Sequence, residues 1–120
     1  SYAGSPPGLS TRLFLTASCA EPYSFCKLIY PVSGRWHPVS DTSLHLHAAS
    51  GEEIACEKIA IPMSGSRLIR PDHIFGLAAL QRAGVGGYVI IRDTTCRLFG
   101  YHGRRDENSG RFSLDHMFGF

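Results

Sequence analysis

His45 and His47, set two apart, are followed five residues on by Glu52, giving the pattern HxHxxxxE. Alternate residues of a strand face the same side, so two imidazoles there can share a metal ion with the carboxylate as a further ligand. The plainer reading, and the favoured one, is an exposed strand face carrying two solvated histidines. Glu53, Glu57, His37, His73, His102 and His116 are further groups able to act as general acid or base, and spacing does not choose between them. A secreted ribonuclease needs a histidine with a glutamate, or a histidine pair, beside an arginine near the phosphate, and this composition supplies those types. No GxSxG elbow, phosphate-cradling glycine loop or HExxH helix occurs.

The HxHxxxxE run resembles part of the first motif of the cupin family, and residues 65–73 (GSRLIRPDH) are similar to its second. The resemblance implies a barrel with His45 and His47 pointing inward, and it makes His45, His47 and Glu52 the candidate metal ligands. Outside that resemblance no metal or other cofactor is implied.

Four cysteines, Cys19, Cys26, Cys56 and Cys96, are spread widely and contain no CxxC pair, so zinc-ribbon and thioredoxin-type sites lack their spacing. An even number of this kind fits two structural disulfides in an oxidising compartment. Three connectivities are open; those joining Cys19 and Cys26 to Cys56 and Cys96 close the longest loops and constrain the unfolded chain most. The expectation is therefore a secreted, extracellular protein whose signal peptide has been removed.

Charge narrows the partners. Ten arginines and two lysines stand against ten acidic residues, a net of +2, with the two signs interleaved, so no nucleic-acid partner is expected. The longest apolar runs, such as Val89-Ile90-Ile91, are far shorter than the roughly 20 residues of a membrane span. Arg104 and Arg105, within a charged, glycine-bounded stretch from Gly103 to Gly110, read first as a solvated loop tip, with a partner contact or a dibasic processing site as the alternatives.

The elements that must position these residues are mostly strands. Residues 1–10 are small, with proline and glycine, and read as a flexible lead-in to one globular domain over 11–120. Strands are expected over 12–17, 25–30, 44–48, 54–61, 88–92, 96–101 and 111–114, with a long loop over 33–42 from which Trp36 reaches the core. Leu44, Leu46 and Ala48 alternate with His45 and His47, and residues 50–53 turn this strand into its antiparallel partner. Residues 71–83 have helical spacing interrupted by Gly76, Tyr88 to Arg92 reads as a central strand, and Phe112, Met117, Phe118 and Phe120 read as core. The fold class is mainly β with one short helix, a small disulfide-stapled β-sandwich or barrel.

From Val89–Ile91 through Cys96, Tyr101 and Gly110 to Phe112, the second half resembles small secreted cysteine-containing fungal proteins of effector type. That resemblance implies a non-enzymatic, protein-binding role on a plant host protein or receptor. Three functions are therefore carried forward. An interaction module implies no convergent polar pocket, a hydrolase implies His and Glu or Arg meeting in a cleft, and a cupin implies inward-pointing His45 and His47.

Overall fold

The computed structural model describes residues 11–20, 22–31, 38–62, 64–94, 98–105 and 112–116, with Arg105 and 112–116 traced by backbone alone. Eight strands form two antiparallel four-stranded sheets. Sheet I runs β1 (Thr11–Thr16), β6 (Tyr88–Asp93), β3 (Thr42–His47), β4 (Glu53–Ile59). Sheet II runs β5 (Ser66–Ile69), β2 (Tyr23–Ile29), β7 (Phe99–Arg105), β8 (Phe112–His116).

The period-2 pattern explains why these layers pack. Leu13, Leu15, Leu44, Leu46, Val89 and Ile91 point inward from sheet I, and Cys26, Leu28 and Ile69 from sheet II, into one shared core. The protein is thus a β-sandwich, one of the two architectures, sandwich or barrel, that the run of short strands leaves open. Strand β6 is internal to its sheet, and Ile90, on the side away from the core, is also buried at 7% exposure, in line with the unbroken apolar run. A polar chain is admitted to the interior. The Thr42 hydroxyl donates to Asp93 Oδ2 at 2.9 Å and lies 2.7 Å from Ser40 Oγ, which accepts from the Ile61 amide at 2.9 Å. Each of these buried groups has a partner, which removes the cost of desolvating it unmade.

Several expectations are corrected. The single helix is two, α1 (Pro71–Ile74) and α2 (Leu77–Ala83), because Gly76 takes φ +86°, a conformation that breaks the helical path and that glycine enters without a Cβ clash. Helix α2 buries Ala79, Leu80 and Ala83 and packs against β3 and β4. Strand β5 was not expected: its four residues carry three exposed side chains and so lack an apolar signature. Strand β7 runs on to Arg105, so Arg104 and Arg105 belong to a strand paired with Ser24 and Tyr23 and not to a loop tip. Gly103, read as a loop boundary, is a buried ladder residue opposite Phe25.

The disulfide framework is also corrected. Cys19, Cys26 and Cys56 are free thiols, so no pairing among the described cysteines staples the fold. Geometry gives the reason for two of them: Cys26 points into the core from sheet II, while Cys56 is exposed on β4 of sheet I. Cys96, Trp36, Met117, Phe118 and Phe120 lie outside the described residues, as does the side chain of Phe112.

Candidate functional site

The outer face of sheet I is organised in cross-strand rows. One row reads Arg12, Arg92, Ser43, Lys58; the next reads Phe14, Ile90, His45, Cys56. Each row follows from the ladder register, since residues directly opposite share a face. In a third row Thr16, Tyr88 and His47 meet Glu53, and here the sequence alone misleads. Strict alternation from Cys56 would turn Ile54 outward and Glu53 inward. A β-bulge between Leu46 and His47 instead pairs Leu46 with Ala55 and His47 with Glu53, so that Ile54 and Ala55 both pack toward the core. The extra residue delivers the Glu53 carboxylate to the histidine face.

That displacement completes a wired trio. Glu53 Oε1 lies 2.6 Å from His45 Nδ1, and His45 Nε2 lies 2.9 Å from Ser43 Oγ. A carboxylate only accepts, so Nδ1 carries a proton and donates to Glu53, and in the neutral imidazole Nε2 then accepts from the serine hydroxyl. The alternative acceptor for that hydroxyl, the Arg92 carbonyl, is farther at 3.4 Å. The His45 side chain is 22% exposed and Glu53 49% exposed, so the pair is reached by solvent.

Beside the trio lies an open cleft of about 190 Å³ lined by Asp41, Ser43, His45, Lys58, Arg92 and Thr94. Lys58 leans toward Asp41 at 3.6 Å, whereas Arg92 has no acidic partner among the described residues. The cleft thus collects a histidine, an arginine and, behind the histidine, a glutamate.

His47 does something different from His45. Its Nδ1 hydrogen-bonds the Gly51 carbonyl at 3.0 Å, and its ring stacks on Tyr88 with centroids 5.2 Å apart. Phe14 stacks on the other side of Tyr88 at 5.3 Å, making a three-ring ladder. Both histidines therefore lie on the outer face and are engaged there, and neither points into a barrel. Glu52 is exposed in the turn, where its amide approaches Ser50 Oγ at 3.4 Å, and it does not join them. Among the described residues no group of three His, Cys, Asp or Glu side chains could hold a metal ion.

The outer face of sheet II has opposite chemistry. Leu68 and Phe99 are 56% and 49% exposed, Phe25, Ile29 and Tyr101 are half-buried, and Lys27 sits between Leu68 and Tyr101 in one cross-strand row. Arg104 is exposed farther along β7. The remaining acid–base candidates are dispersed: His73 is exposed next to Asp72, His102 lies opposite Cys26 on β7, Glu57 is exposed on β4, and His37 and the side chain of His116 lie outside the described residues.

No family model matches the chain, and no curated protein matches its sequence. Among solved structures, a Thermotoga maritima protein designated 1070 is similar, with a TM-score of 0.56 over 96% of this chain and 96% of that one, at 11% identity. At that identity the likeness is one of fold. No helix among the described residues is long and apolar enough to cross a membrane.

Proposed function

We propose that the chain is a protein-binding module that docks through the outer face of sheet II. The observation that carries this reading is the apolar surface around Leu68 and Phe99, continued by Phe25, Ile29 and Tyr101. Covering such a surface releases water at roughly 25 cal/mol per Å² of apolar area, and contiguous patches of this type mark interaction sites. Lys27, exposed among them, selects a partner segment with an acidic side chain ringed by apolar ones. The resemblance of the second half to effector-type proteins supports a plant host protein as the partner. The free thiols give no support to an extracellular location, and docking through this face does not require one.

The test is retention of a partner by the immobilised full chain from a plant extract. The wild-type chain and Arg92→Gln, altered on the other sheet, should retain the same discrete protein, and Leu68→Asp combined with Phe99→Asp should lose it. Equal retention by the double variant would remove sheet II from the account.

A further inference from the structure

We infer that Ser43, His45 and Glu53 form a nucleophilic site that cleaves small esters bearing a carboxylate. The inference rests on sheet I and is independent of docking on sheet II. A nucleophile, a base within hydrogen-bond reach of it, and a carboxylate that orients the base are the three parts of an activated hydroxyl. Here the contacts are 2.9 Å and 2.6 Å, in the order that leaves His45 Nε2 able to take the serine proton. Ser43 and His45 open onto the cleft, and the register places Ser43 between Arg92 and Lys58 in one row.

The chemistry balances without any further reagent than water. Ser43 Oγ bonds to the acyl carbon while its proton passes to His45 Nε2, and Glu53 holds the resulting imidazolium through Nδ1–H. The carbonyl oxygen takes up the negative charge, the bond to the alcohol oxygen breaks, and that oxygen leaves with the proton from His45. Water, losing a proton to His45, then attacks the acyl-serine and releases the carboxylic acid, restoring the serine hydroxyl. Strand β3 is hydrogen-bonded on both sides, to β4 and to β6, so its backbone amides are committed to the sheet. Stabilisation of the oxyanion therefore falls to side-chain cations, and Lys58, which stands opposite Ser43 in the ladder and lines the cleft, is assigned that part. Arg92, without an acidic partner among the described residues, supplies the planar fork that a substrate carboxylate fits. The cleft, about 190 Å³ and open to solvent, has room for a small acyl group.

The purified full chain is treated with a fluorescent fluorophosphonate, and turnover is followed with 4-nitrophenyl hemisuccinate against 4-nitrophenyl acetate. One equivalent of label should map to Ser43 by peptide mass spectrometry. Ser43→Ala should abolish labelling, and His45→Gln should slow it by at least about 100-fold. Glu53→Gln should lower kcat with little change in KM, with partial recovery in Glu53→Asp, as befits a positioning residue. Arg92→Gln should raise KM for the hemisuccinate by a larger factor than KM for the acetate. The exposed thiol opposite His45 supplies a control, since labelling must persist in Cys56→Ala. Circular dichroism and thermal unfolding of each variant separate loss of reactivity from loss of fold. Absence of label on Ser43 in the folded protein, or labelling at an unchanged rate in folded His45→Gln, overturns the inference.

Discussion

The two outer faces of the sandwich are built on one core by the same alternation, yet they spend their outward positions differently. On sheet I the histidines are held in place: both ring nitrogens of His45 and Nδ1 of His47 are hydrogen-bonded, and the rings of Phe14, Tyr88 and His47 stack on one another across the strands. On sheet II the outward positions are mostly apolar, with Lys27 among them, and Leu68 and Phe99 remain about half exposed. Groups already held in place lose little freedom when a ligand arrives, which suits chemistry. Exposed apolar surface gains most by being covered, which suits docking. The inward Leu and Ile residues make this division open to the sequence, because they carry the packing and leave the outward set unconstrained.

The largest expected effect erases the difference between the faces by removing what they share. Leu46, fully buried, loses its packing in Leu46→Ala, which should cost about 2–5 kcal/mol in urea unfolding and impair both faces together. Cys26 gives a pH-dependent test of the same core. Burial pushes its thiol from the ordinary 9.0 up to about 12, so above pH 9 the unfolded chain loses a proton that the folded chain keeps. Stability should then fall with rising pH by up to about 1.4 kcal/mol per unit, and the difference between wild type and Cys26→Ala isolates this contribution.

A sharper comparison acts on sheet I alone. Gly51 takes φ +95° in the turn that precedes Glu53, and its amide donates to the Ala48 carbonyl at 2.8 Å. Gly51→Ala should cost about 1 kcal/mol and slow Ser43 labelling by loosening Glu53, with partner retention unchanged. On sheet II, Leu68→Asp with Phe99→Asp should change unfolding free energy by less than about 0.5 kcal/mol per site, because these side chains are outside the core. The smallest effect is chemical: iodoacetamide should modify exposed Cys56 in the folded protein and reach Cys26 only on unfolding, as read by intact mass.

Much of the scaffold is legible in the residues, and most of the site is not. The Leu44 to His47 alternation and the apolar run at 89–91 announce β3 and β6 because inward burial imposes a period of two. The same rule fails at one inserted residue: the bulge at Ile54 exchanges the facing of Glu53, so the sequence pattern selected Glu52 where the fold selects Glu53. Ser43 carried no signal, since a serine before an apolar residue is common and its significance lies in a cross-strand contact with no sequence period. Strand β5 is hidden by its exposed side chains and the second half of β7 by Gly103, which pairs in the ladder despite its turn-forming reputation. The even count of cysteines pointed to crosslinks, but the side a thiol faces depends on register across sheets, which spacing along the chain does not encode.

The division between the faces is tested most directly by a photocrosslinking amino acid placed in turn at position 68 on sheet II and at position 14 on sheet I, in the full chain exposed to plant extract. The account predicts a discrete protein adduct from position 68 and none from position 14. An adduct from position 14 alone, or the same adduct from both positions, would contradict it.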